Sequence, residues 1–297
     1  MTDYVWKLKV KYRPDQPRVP SGSPEGGRWA SSRFAGRAPG SPVMGADTKA
    51  AAFLAQGLPE VNSLGDKVRD KDGNPVYSGE SRPMVKQEIV ENLAEGSGLA
   101  EEMVNMLVAK WADTSADEDR KALEMQAAAA RVFGTEVTPY VSETLGVAKL
   151  LNEEGWPLSK KEMDGFVGAM YEHTQRRLAA TGFKPSDTIT LYRGIGFPRS
   201  RTDLSDGDVI DMRQNPLSSW SSAPSEAAKF ASHFWGEQAS VLIKMEVPVS
   251  AIAGTARTGF GSLPECEFIV VGGNDVGHKA RVVKVIRDYA DWEELGF

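Results

Sequence analysis

Two acids separated by a single residue, Glu265 and Glu267, have a spacing that invites chemistry. On a strand, side chains alternate, so both carboxylates would share one face with Cys266 on the other. They would stand ~7 Å apart along the chain. Like charges held that way are costly unless a cation sits between them. Phe268-Ile269-Val270 after the pair is apolar, and Arg257-Thr-Gly-Phe-Gly-Ser-Leu-Pro264 before it is rich in turn formers. The pair reads either as a seat for a cationic group or as the solvated acidic entrance of an edge strand.

Two patches upstream could work with it. In Leu191-Tyr192-Arg193-Gly194 an arginine ends an apolar run and a glycine follows, so backbone or ligand can approach closely. A guanidinium suits bidentate contact with phosphate or carboxylate; alone, it could equally be a strand-end arginine in a surface ion pair. Ser218-Ser219-Trp220-Ser221-Ser222 groups four hydroxyls around one indole, ahead of Ala227, Ala228 and Phe230. Those hydroxyls could position a polar ligand, or cap the helix that follows.

Composition removes other chemistries. The chain has 297 residues, ample for a core without disulfides. One cysteine excludes a disulfide framework and a cysteine-rich zinc site. His173, His233 and His278 are too scattered for metal-ligand spacing, so no metal is expected. No run approaches the ~20 apolar residues of a membrane span, and the N-terminus lacks the apolar core of a secretion signal. No GxGxxG follows a strand and no P-loop is present.

The elements that must hold these patches fall into two textures. The middle of the chain reads as helix, over Pro83–Glu95 and Leu99–Trp111, with Met106 or Leu107 on the apolar face. Ser115-Ala-Asp-Glu118 and Ser159-Lys-Lys-Glu162 both fit a capping box. Gly134 and Gly182 stand where helices should stop. Met163, Phe166, Val167, Met170, Tyr171 and Leu178 recur at helical spacing and read as core. From Asp187 onward strands dominate: Thr188–Tyr192, Leu217–Ser221, Ser240–Val247, Glu265–Val271 and Arg281–Ile286, with a short helix over Pro224–Phe234. Strands with few helices between them predict an α+β chain with a mostly antiparallel, sandwich-like sheet.

The order of the three patches resembles the Arg–Ser–Glu class of mono-ADP-ribosyltransferases, whose members include bacterial toxins and phage enzymes. The resemblance spans about residues 140–290. Leu-Tyr-Arg193-Gly matches the first motif, and Ser219-Trp220-Ser221 stands where the family writes Ser-Thr-Ser, with Trp220 a departure. Ala227 and Phe230 match its Ala-x-x-Phe spacing, and Glu265-x-Glu267 its Glu-x-Glu variant, which goes with arginine as acceptor.

The resemblance implies NAD as cosubstrate and a target protein, bacterial host included, as acceptor. Glu267 would stabilise the oxocarbenium-like sugar, Glu265 would engage the incoming guanidinium, Arg193 would hold the NAD phosphates and Ser219 would brace Glu267. Gly194, Ser219, Trp220, Ser221 and Phe230 would line the NAD site. Phe260 would face the target, and Phe234-Trp-Gly236 would cover nicotinamide or phosphate. Two alternatives stay open: an NAD glycohydrolase, with water as acceptor, and a non-enzymatic phage head-associated protein on the same scaffold.

Charge is uneven. The totals are 35 basic and 41 acidic residues, a net of −6. Residues 1–43 carry eight Lys and Arg against Asp3, Asp15 and Glu25, a local +5 that leaves −11 on the rest. Six prolines and five glycines interrupt Arg13–Val43, so this stretch reads as a flexible basic tail or an arm for an acidic partner. Nucleic acid has no motif to support it, and no membrane partner is expected. Asp15–Trp29 resembles a short segment of tailed-phage virion and head-associated proteins, which implies a phage genomic context; the expected location is the host bacterial cytoplasm, with carriage in the virion through the tail and without Sec export. The expected division is a tail over 1–45, a helical module over 46–135 and a catalytic domain over 136–297.

Overall fold

The computed structural model of the chain describes residues 87–113, 120–151, 154–198, 204–232, 238–255, 257–259, 261, 266–273, 278–287 and 291. Among them, helices come first: α1 (Gln87–Ser97), α2 (Glu101–Asp113), α3 (Arg120–Phe133), α4 (Pro139–Leu150) and α5 (Lys160–Ala180). Strands β1 (Thr188–Pro198), β2 (Val209–Met212) and β3 (Leu217–Ser221) follow, then helix α6 (Pro224–Ser232). Strands β4 (Gln238–Pro248), β5 (Ile252–Thr255), β6 (Glu267–Val271) and β7 (His278–Ile286) complete the order, with a single 3-10 turn, Val249–Ala251, between β4 and β5.

Local signals set the helix ends. At α5 the Ser159 hydroxyl accepts from the Glu162 amide at 3.2 Å, and the Glu162 carboxylate accepts from the Ser159 amide at 2.7 Å. This is the reciprocal capping expected there. Gly134 and Gly182 follow α3 and α5 with φ of +66° and +85°, a conformation that favours glycine. The Ser115–Glu118 box lies outside the described residues.

The chain is α+β, and every strand pairing among the described residues is antiparallel. The strands form one sheet in the order β2-β7-β4-β1-β3-β6-β5, not the two separate sheets that a sandwich implies. The β1–β4 ladder runs the whole length of both strands, whereas β1 meets β3 at the one pair Tyr192–Ser221. That pair joins two halves of the sheet. Ile189, Leu191, Val241 and Ile243 from one half and Trp220, Phe268 and Val270 from the other share a single buried cluster. Burying each such side chain contributes roughly 1.5–3 kcal/mol, so one face of both halves is committed to the interior.

Helices cover the other face. Leu93, Leu107, Met125, Phe166 and Met170 of α1, α2, α3 and α5 pack with Leu217, Ala253 and Ile269 of the sheet. Helices on both sides of residue 135 therefore share one cluster. Leu107 is fully buried and Met106 is exposed, which resolves the alternative left by the α2 periodicity. Helix α6 lays Ala227 and Ala228 against Tyr192 and Leu242. No helix among the described residues is long and apolar enough to cross a membrane.

Candidate functional site

The serine strand and the acid strand are neighbours. In the β3–β6 ladder Ser221 stands opposite Glu267 and Ser219 opposite Ile269. Tyr192 of β1 stands opposite Ser221 on its other side. Directly opposed residues point to the same face, and so do residues two apart on one strand. Tyr192, Ser219, Ser221 and Glu267 therefore share a face. Ser221, rather than Ser219, is the direct cross-strand neighbour of Glu267; Ser219 is its diagonal neighbour, at the ~7–8 Å that such neighbours keep.

Glu267 is the first residue of β6 and is buried, with 7% of its surface exposed. Cys266 before it has φ +49°, in the left-handed region that non-glycine residues seldom occupy. The strand expected from Glu265 thus begins two residues later. The alternation of β6 starts at Glu267. Glu265 and Phe260 lie outside the described residues, as do Phe234, Trp235 and Gly236.

Each serine is used differently. The Ser221 hydroxyl accepts from the Ala223 amide at 3.0 Å and donates to the Ala223 carbonyl at 3.1 Å, shaping the turn into α6. Ser218 donates to the Asn215 carbonyl at 3.3 Å. The Ser222 amide donates to the Cys266 carbonyl at 3.1 Å, which ties the head of α6 to the residue before Glu267. Ser219 is half-buried and makes no side-chain hydrogen bond among the described residues.

Trp220 points the other way. It is 2% exposed, belongs to the interior cluster and donates its Nε1 proton to Gln214 Oε1 at 2.8 Å. The structure thus makes it a core residue, which corrects its assignment to the NAD site.

Arg193 pairs with Ile243 and is half-buried. Alternation along the regular β1–β4 ladder puts it with Leu191 and Ile195, on the face opposite Tyr192. The structure brings Ser219, Ser221 and Glu267 onto one face and leaves Arg193 on the other, one residue from the pair that joins the sheet halves. Gly194 meets backbone rather than open space: a Cβ there would stand 2.4 Å from Ala231 N and from the Ala227 carbonyl oxygen. Its lack of a side chain lets α6 dock on β1. Phe230, on the same helix, is half-buried.

Several supporting residues carried no signal in the sequence. Gln126 of α3 is buried and pairs with the Leu217 backbone as a strand would: its Nε2 donates to the Leu217 carbonyl and its Oε1 accepts from the Leu217 amide, both at 2.8 Å. Gln126 thereby holds the start of the serine strand. Burial, and then the Glu246 charge, raise the Tyr192 hydroxyl above its usual range. Burial, and then the Arg177 charge, lower the Arg257 guanidinium. No three of His, Cys, Asp and Glu group as a metal site among the described residues.

Compared with known families, with characterised proteins and with solved structures, the chain matches none.

Proposed function

We propose that the chain is a mono-ADP-ribosyltransferase with an ADP-ribosyltransferase-like catalytic fold, moving ADP-ribose from NAD to an arginine of a target protein. The observation that carries this reading is the shared face of Ser219, Ser221 and Glu267 on two paired strands, beside the single pair that joins β1 to β3. In the reaction the bond from ribose C1′ to the nicotinamide nitrogen breaks, and its electron pair leaves with nicotinamide. A guanidino nitrogen of the acceptor then bonds to C1′ and gives up a proton.

Glu267 supplies a negative charge for the oxocarbenium-like sugar of such a transition state. Held in a buried, preorganised position, a group of that kind commonly accounts for 10²–10³ in rate. Ser219 offers a half-buried hydroxyl, unused by the described protein groups, to a ribose or to Glu267. Glu265 orients the incoming guanidinium and eases loss of its proton, since free arginine holds that proton to a pKa above ~12. Arg193 serves the NAD phosphates. The setting that fits this reading is the host bacterial cytoplasm, with delivery in a virion through the basic N-terminal segment.

One observation favours a second reading, a non-enzymatic head-associated protein on an ADP-ribosyltransferase-like scaffold. Arg193 and Glu267 lie on opposite faces by strand alternation, and a catalytic pair needs a common crevice. Incubation with labelled NAD and bacterial lysate separates the two. Protein labelling that Glu267→Gln abolishes supports the transferase. No nicotinamide release together with copurification with virions supports the scaffold.

A further inference from the structure

Helix α4 is anchored at one end and bare along one side. Its N-cap residue, Thr138, accepts from the Val141 amide at 3.4 Å and donates its hydroxyl proton to Asn215 Oδ1 at 2.7 Å. That bond ties the helix to the loop ahead of β3. Of its twelve residues only Val141 and Ala148 are buried. Five large apolar side chains stand exposed among the described residues, and three of them lie at the end of α4: Val147 at 53%, Leu150 at 83% and Leu151 at 67%. Singly scattered apolar residues need no explanation, whereas contiguous ones point to a partner.

The bare side is self-complementary. At ~100° per residue, Ser142, Glu143, Gly146, Lys149 and Leu150 share one side of the helix, with Gly146 at its middle. All five are exposed. A Cβ at Gly146 would meet nothing within 4 Å, so a second backbone can come close there. Glu143 and Lys149 flank Gly146 at equal distance along the helix, ~60° off its line on opposite sides. Their spacing is too long for them to pair with each other on one helix. Neither side chain has an ion-pair partner among the described residues. A two-fold axis at Gly146 sets a second α4 antiparallel to the first. Glu143 of one copy and Lys149 of the other then stand level, ~4.5 Å along the helix from the axis, and the pair occurs twice. Leu150 of each copy lies over the Glu143 stem of the other, and Val147 continues that flank.

We propose that this side of α4 binds a second copy of the chain, antiparallel about Gly146, through Leu150 and two reciprocal Glu143–Lys149 ion pairs. Charge singles out this occupant. An acidic partner would set its charge against Glu143, and a basic one against Lys149, whereas a two-fold rotation gives each its opposite. One helix pair buries less than the ~1,200 Å² of a standard interface, so the dimer is reversible and rises with concentration. Such a dimer stands apart from the transferase reading and leaves the serine and acid strands untouched.

Sedimentation of the full chain from ~1 μM to ~1 mM covers the range in which interfaces of this size assemble. Wild type is expected to pass from monomer to dimer over that range. Glu143→Lys and Lys149→Glu each set like charges across the two-fold axis, and each should weaken the dimer at least ~tenfold. Mixed in equal amounts, the two variants should pair again, since each then offers the charge that the other lacks. Recovery on mixing also excludes a folding defect as the cause of the loss. Wild type that stays monomeric throughout, a dimer that both variants keep, or a mixture that stays monomeric would overturn the proposal. A monomeric wild type that Leu150→Asp destabilises would place a segment of the same chain on α4 instead, which overturns it as well.

Discussion

Ser221 and Glu267 face each other across the β3–β6 ladder, and the Ser221 hydroxyl is already engaged with the backbone of Ala223. The nearest hydroxyl to the buried acid along the sheet therefore shapes a turn. The hydroxyl with capacity to spare is Ser219, one diagonal step away. This division of labour gives the two serines different expected phenotypes.

Ser221→Ala should lower stability by about 1 kcal/mol, the usual net cost of losing such a side-chain hydrogen bond. Ser219→Ala should leave stability unchanged and reduce NAD turnover. Urea denaturation beside nicotinamide release reads both effects. The assignment fails if the two variants behave alike.

Glu267→Gln should lower nicotinamide release by roughly 10²–10³ with the unfolding midpoint kept near that of wild type. Glu265→Gln should reduce transfer to protein or agmatine far more than release, since its proposed role begins only after the glycosidic bond has opened. Mass spectrometry of modified proteins would report the linkage residue at the same time. A Glu267→Gln variant that still labels proteins would remove the acid from its assigned role.

Gln126→Leu should destabilise the fold by about 2 kcal/mol or more, because the Leu217 amide and carbonyl would lose their partners in a buried setting. The loss should also appear as faster hydrogen exchange at the Leu217 amide. Unchanged stability would mean that the serine strand does not depend on α3.

His173 gives a pH signature. It is buried on α5 and its Nε2 has no hydrogen-bond partner among the described residues. Burial, and then the charges of Arg176 and Arg177, hold its pKa below 6.5, with Glu88 of α1 opposing them. A histidine with a depressed folded pKa binds its proton more readily unfolded, so its contribution to stability is complete above about pH 6.5 and is lost as pH falls from there through the folded value. The drop in urea midpoint between pH 7.5 and pH 5.5 should therefore be smaller in His173→Gln than in wild type. An equal drop in both would show that His173 does not take part.

Much of the framework was legible from local pattern. The α5 capping box, the glycine stops at Gly134 and Gly182 and the bounds of β3 are dictated by residues within a few positions of one another. Strands β2 and β5 were missed because Val209–Met212 and Ile252–Thr255 are four residues each, and β5 includes Gly254. Neither run is long or branched enough to announce a strand. The single sheet was also hidden, since one pair, Tyr192–Ser221, joins its two halves.

At the candidate site, sequence alone determined which residues are available for chemistry: one arginine, a run of serines and two acids, each on or beside a strand. Tertiary structure decided which of them meet. Strand register set Ser221 before Glu267 and turned Arg193 to the opposite face, and a buried partner distant in sequence, Gln126, fixed the strand beside them. Side-chain alternation is a property of a single strand. The register between strands depends on pairing and burial across the whole sheet, and no local run of residues specifies it.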